Sequence, residues 1–193
     1  MRFERAVVAS KNADKIAEVE AVLAEVGLVG SIVRDREWPD VEETEDTLHG
    51  NALLKAWAVA KATGIVAISD DTGLEVAALD GAPGVHSARY AGPAATYSQN
   101  VAKLLEELSG STDRSARFRT VIAVVDPATG REWTAEGAVE GEIAHAPRGS
   151  YGFGYDPVFA VGDRTLGEMT DAEKSAISHR ARALRALAGL LTT

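Results

Sequence analysis

Ile65-Val66-Ala67-Ile68-Ser69-Asp70-Asp71-Thr72-Gly73-Leu74 is the stretch on which the fold turns. An apolar run ends in two adjacent carboxylates and a Thr-Gly step. Short apolar runs bounded by turn residues read as buried strands. The pattern predicts a strand over 65–69, a turn at Asp70-Asp71-Thr72-Gly73, and a second strand over 74–79. Neighbouring residues on an extended strand point to opposite faces, so Asp70 and Asp71 need not share one task; a turn would let both approach one cation. Carboxylates are hard oxygen ligands for Mg²⁺, and two of them at a strand end suit metal-assisted attack on phosphate. Asp71, next to Thr72, is the better placed to activate water. The competing reading is a solvated turn, which Asp and Gly both favour.

Upstream, Ala6-Val7-Val8-Ala9 reads as another buried strand. Ile16, Val19, Leu23 and Val26 then recur at helical spacing, with Asn12 as N-cap and Gly27 as the stop. The intervening loop, Ser10-Lys11-Asn12-Ala13-Asp14-Lys15, feeds a helix N-terminus, where backbone N–H groups can hold phosphate. Ser10 and Asn12 add neutral hydrogen bonds and Lys15 a point charge. The loop lacks Walker glycines, and an ordinary capped helix fits the same residues. A second helix is predicted over 47–63, after the acidic run Glu42-Glu43-Thr44-Glu45-Asp46, which reads either as a solvated loop or as a source of a metal ligand.

Downstream, a helix is predicted over 97–108, and strands over 117–125 and 132–139 joined by Asp126-Pro127-Ala128-Thr129-Gly130. Gly152-Phe153-Gly154-Tyr155-Asp156-Pro157 is a glycine-and-aromatic loop. Its aromatic faces suit stacking on a base; a packed turn is the alternative. Thr170 with Glu173 forms a capping box. Ser178 is a second N-cap, followed by Ala181, Leu184, Leu187 and Leu191. A break there puts His179 and Arg180 in the first turn of a new helix, beside orphan N–H groups, with Lys174 just upstream. Lys55, Arg89 and Arg119 are further candidates for phosphate contacts, but each taken alone reads as a surface charge. His49, His86 and His145 show no metal-ligand spacing. Mixed strands and helices argue for one α/β unit.

The chain has 193 residues, 46% of them hydrophobic, which suits a single domain over 1–193. Its 29 acidic and 20 basic residues give a net charge of −9, against general nucleic-acid binding, which needs a surplus of Lys and Arg. There is no cysteine, which excludes disulfides, thiolate catalysis and Cys-based zinc sites. No signal-peptide pattern or membrane-length apolar run is present, so a soluble, cytoplasmic protein with no membrane partner is expected.

Individually weak, these blocks are specific in their order: Ser10 to Lys15, Asn51 to Ala56, Ser69 to Leu74, Gly81 to Tyr90, Gly152 to Pro157 and Glu173 to Arg180. The series resembles the inosine/xanthosine triphosphate pyrophosphatase family of RdgB type over nearly the whole chain. The resemblance implies an α/β fold with a mixed, elongated central sheet flanked by helices, two lobes with the active site in the cleft between them, and a homodimer. It implies Mg²⁺-dependent hydrolysis of ITP, dITP and XTP to the monophosphate and pyrophosphate. By match, Ser10, Asn12 and Lys15 hold the triphosphate and Thr72 contacts substrate. Asp71 looks like the general base, with Glu43, Asp71 and Asp70 at the metal. Phe153, Gly154, Tyr155, Asp156, Lys174, His179 and Arg180 look like the base pocket. Two positions depart from the pattern: Lys11, where Gly is usual, and Gly50, where Glu is common.

Overall fold

The computed structural model describes residues 2–192. The strands are β1 (Phe3–Val8), β2 (Val29–Ile32), β3 (Val66–Val76), β4 (Pro83–Gly84), β5 (Ser115–Asp126), β6 (Arg131–Ile143), β7 (Phe159–Val161) and β8 (Arg164–Thr165). The helices are α1 (Ala13–Val26), α2 (Leu48–Thr63), α3 (Tyr97–Glu107), α4 (Asp171–Ile177) and α5 (His179–Thr192). Among the described residues the strands form one sheet in the order β2-β1-β3-β5-β6-β7-β8, with β4 paired to β3. The sheet is mixed: β1 runs parallel to β2 and β3, whereas β3–β4, β6–β7 and β7–β8 are antiparallel. The fold is therefore mixed α/β, as expected.

The helix ends follow the sequence signals. Asn12 caps α1, and Gly27 closes it in the left-handed region at φ 63°, where glycine has no Cβ clash. Thr47 is the cap of α2 rather than its first residue, and Gly64 ends it at φ 68°. The Thr170–Glu173 capping box opens α4, and Ser178, extended at ψ 148°, separates α4 from α5.

The expected turn at Asp70-Asp71-Thr72-Gly73 is a correction. β3 runs unbroken through all four residues. Its Val66–Ile68 segment pairs with Ala6–Val8 of β1, and β5 flanks it on the other side. Residues Ala67 to Asp71 are all buried. The β1 ladder up to Ile68, β5 alongside and the burial of Ala67 to Asp71 outweigh the turn propensity of Asp and Gly, because strand formation is decided by context more than by residue type. The second strand expected over 74–79 is thus the end of β3; residues Ala77–Leu79 form a 3₁₀ turn.

The chain divides into two compact units. The first comprises the chain up to Asp71, Thr120–Gly137 and the chain from His179; the second comprises Thr72–Arg119 and Ala138–Ser178. The first unit packs α1 against α5 over a core that includes Val19, Leu23, Ile68, Ile122, Leu184 and Leu187. The second has its own core, including Leu74, Leu104, Phe118, Ile143, Phe159 and Leu166. Among the described residues no helix is long and apolar enough to cross a membrane.

Candidate active site

In the first unit, the loop after β1 is organised by the side chains expected to hold phosphate. Asn12 Oδ1 accepts hydrogen bonds from the Asp14 and Lys15 amides at 3.0 and 3.3 Å. The Asn12 amide donates to Ser10 Oγ at 3.2 Å. The capped-helix and phosphate-loop readings thus describe one arrangement, a helix N-terminus of fixed geometry after a parallel strand. Lys15 Nζ lies 3.2 Å from Asp70 Oδ2. Lys11, the departure from the family pattern, pairs instead with Asp40 on the exposed surface at 2.5 Å.

Asp70 is 3% exposed and is held between cations. Besides Lys15, Arg180 Nε donates to its Oδ2 at 3.2 Å, and Arg180 also pairs with Glu18 of α1. Burial works to raise the Asp70 pKa, but the charges of Lys15, Arg180 and Lys55 outweigh it and hold the carboxyl well below the usual range. Asp70, expected beside a metal, is committed to Lys15 and Arg180; Arg180, expected at the base, is committed to Asp70 and Glu18.

Asp71 faces a different set. Lys55 Nζ donates to Asp71 Oδ1 at 2.8 Å and to Glu43 Oε1 at 2.6 Å. The other Asp71 oxygen, Oδ2, is buried with no hydrogen-bond partner among the described residues. Burial pushes Asp71 up to about 6; Lys55 opposes that rise and the Glu43 charge adds to it. Burial also acts to raise Glu43, but Lys55 and Lys15 hold it below its ordinary value. Two carboxylates sharing one ammonium titrate as a pair, because like charges disfavour double ionisation.

Lys55 is the residue that sequence reasoning undervalued. It sits one turn after Asn51, which is fully buried. Asn51 clamps the acidic loop: the Glu45 amide donates to its Oδ1 at 3.0 Å, and its Nδ2 donates to the Glu45 carbonyl at 3.1 Å. The i, i+4 spacing of Asn51 and Lys55 placed both on one helix face and was the available signal. Glu43 alone of Glu42, Glu43 and Glu45 is half-buried. Gly50 lets the loop pass, since a Cβ there would stand 2.8 Å from Glu45 Cβ.

Among the described residues no three His, Cys, Asp or Glu side chains gather as a metal cage. Glu43 and Asp71, with an orphaned oxygen on Asp71, fit a different kind of site. Mg²⁺ is usually bound through one or two carboxylates, with waters and substrate phosphates completing the shell.

In the second unit, the glycine-aromatic loop closes on Asp156. The Phe153 amide donates to Asp156 Oδ2 at 3.0 Å, and Lys174 Nζ from α4 donates to the same oxygen at 2.7 Å. The ammonium also stands 4.9 Å from the centre of the Phe153 ring. Gly152, at φ 71°, makes room: a Cβ there would fall 2.1 Å from Asp156 Oδ2. Gly154 is left-handed too, at φ 63°. Tyr155 turns inward, with its ring in the core and its hydroxyl on the Ser87 carbonyl at 2.9 Å. Thr72 is half-buried on β3. Arg119 lies 3.2 Å from Glu75.

His179, in the first unit at the start of α5, meets a partner that sequence reasoning missed. Its Nδ1 is 2.6 Å from Thr120 Oγ1 on β5.

A parallel strand–loop–helix element with a fixed helix N-terminus thus stands in the same α/β unit as a buried lysine bridging two carboxylates. The chain belongs to the Ham1 family, whose model matches residues 6–190. It is 47% identical to the dITP/XTP pyrophosphatase of Bacillus licheniformis, over 98% of each chain. It is 50% identical to that of Porphyromonas gingivalis, also over 98% of each. Among solved structures, a HAM1 protein from Coxiella burnetii superimposes with a TM-score of 0.88 at 44% identity, covering 98% of this chain and 99% of the other. A nucleoside-triphosphatase / dITP/XTP pyrophosphatase from Mycobacterium abscessus gives 0.76 at 42%, covering 97% and 99%.

Proposed function

We propose that the protein hydrolyses the triphosphates of non-standard purines, dITP, ITP and XTP, to the monophosphate and pyrophosphate, removing them from the nucleotide pool. The observation that carries this reading is the Asp71 carboxylate, held through Oδ1 by Lys55 with Oδ2 buried and without a hydrogen-bond partner among the described residues, in a chain so similar to dITP/XTP pyrophosphatases. Asp71 accepts a proton from the attacking water. The water oxygen bonds to the α-phosphorus, the bond to the bridging oxygen breaks, and pyrophosphate leaves. Lys15 and the N–H groups at the start of α1 balance charge on the triphosphate. Glu43 and Asp71 would hold Mg²⁺, which when bound supplies charge neutralisation and a more acidic water.

Selectivity follows from donors. Hypoxanthine and xanthine carry a 6-oxo acceptor where adenine carries an amino donor. A donor from Lys174 or His179 at that edge favours the first and leaves mismatched polar groups with the second. The cytoplasmic homodimer implied by the resemblance belongs to the same reading.

The test is pyrophosphate release from ITP, XTP, GTP, ATP and dCTP with and without Mg²⁺, beside Asp71→Asn. Metal-dependent release from ITP and XTP that the variant loses supports the reading. Binding without release from any of them overturns it.

A further inference from the structure

We propose that Thr120 is a positioning residue for His179: its hydroxyl donates to Nδ1 and keeps the neutral ring's proton on Nε2, as a donor toward the 6-oxo edge of the substrate purine. The last step rests on the proposed function, in which His179 meets the base. The hold on the ring stands on geometry alone. Thr120 Oγ1 and His179 Nδ1 are 2.6 Å apart, and the two residues are 0% and 5% exposed.

Thr120 opens an otherwise apolar buried run, Val121-Ile122-Ala123-Val124-Val125. A hydroxyl enclosed there is costly unless it is hydrogen-bonded, and His179 Nδ1 stands at hydrogen-bond distance. The backbone is fixed as well. A Cβ on Gly137 of β6 would fall 2.3 Å from the His179 carbonyl oxygen and 2.4 Å from the Ala183 nitrogen. Neighbouring strands, β5 and β6, therefore set the ring and the main chain of one residue.

A neutral imidazole has one N–H donor and one acceptor nitrogen, and the bond made at one nitrogen decides the state of the other. With the hydroxyl donating to Nδ1, Nε2 carries hydrogen and meets an oxo group favourably. With the tautomer reversed, Nε2 becomes an acceptor and suits the adenine 6-amino group instead. Thr120 thus bears on the choice between inosine and adenosine nucleotides without touching either.

The experiment reads the His179 ring by ¹⁵N NMR at a pH where it is neutral, in the unaltered protein, Thr120→Val and Thr120→Ser. We expect the Nε2–H form in the unaltered protein and the Ser variant, and a mixture in the Val variant. With ITP and ATP as substrates, Thr120→Val should narrow the ratio of kcat/KM values about tenfold, and Ser should restore it. An Nδ1–H ring in the unaltered protein overturns the proposal even if Thr120→Val does not fold. So does a Val variant with an unchanged ring, or an altered ring with an unchanged ITP/ATP ratio. If the unaltered protein hydrolyses no ITP, the proposed function fails, while the ring state still decides whether Thr120 holds His179.

Discussion

Asp70 and Asp71 are consecutive on β3 yet form ion pairs with different cations, Lys15 and Arg180 for the first and Lys55 for the second. Strand alternation separates them. One carboxyl is held far below its ordinary pKa and the other pushed up to about 6. Neighbouring carboxyls with separated pKa values suit separate roles.

Asp71→Asn should lower kcat/KM for ITP by about 100-fold or more, the range for loss of a general base. The fold should not suffer. A carboxyl with a raised folded pKa stabilises below its unfolded pKa, near 3.9, and loses that contribution as pH rises through about 6. At neutral pH its ionised form opposes folding. Thermal melts at pH 7.5 should show a midpoint no lower than that of the unaltered protein; a large drop would reassign Asp71 to a structural role.

The Asp71 carboxyl, followed by ¹³C NMR in the metal-free protein, should titrate near pH 6. Mg²⁺ should move that midpoint down, because a metal ion competes with the proton for the same oxygens. Glu43→Gln should weaken the shift. A midpoint indifferent to Mg²⁺ would remove Asp71 from the metal site.

Asp70→Asn leaves Lys15 and Arg180 without their shared carboxylate. Breaking a buried pair by removing one partner costs about 3–5 kcal/mol, and urea denaturation at pH 7 should read a loss of that order. The pH dependence has a definite sign. A depressed carboxyl contributes fully above its unfolded pKa, and the contribution fades as pH falls toward the folded value. The unaltered protein should therefore lose more stability between about pH 5 and pH 2 than the variant does. Parallel curves would refute the pairing.

Gly152→Ala should act on the base side alone. Its Cβ would collide with Asp156 Oδ2 and displace Lys174. KM for ITP should rise several-fold, whereas inhibition by pyrophosphate, which has no base, should stay within about twofold, given that a clash is felt where the contact is made. An equal loss of both would point to general unfolding.

Most helix boundaries were legible because caps are local: Asn12, Thr170, Ser178, Gly27 and Gly64 each act on the turn beside them. The failure at Asp70 to Gly73 came from the opposite cause. Turn propensity is local too, but the place of β3 between β1 and β5 is not written in the residues themselves. The same divide runs through the site. Glu43 and Asp71 were visible as residue types, whereas Lys55 between them depends on how α2 and the acidic loop come to β3. Glu18 and Thr120 were invisible, because their meaning lies in Arg180 and His179, more than fifty residues away in sequence.

The chain passes from one unit to the other at Asp71/Thr72, Arg119/Thr120, Gly137/Ala138 and Ser178/His179, and the first three passages fall inside β3, β5 and β6. Neither unit is a single piece of polypeptide. Recombination between relatives at any one junction would mix both units, so neither can be exchanged as a module. Divergence by substitution, not by shuffling of parts, is the course this connectivity leaves open.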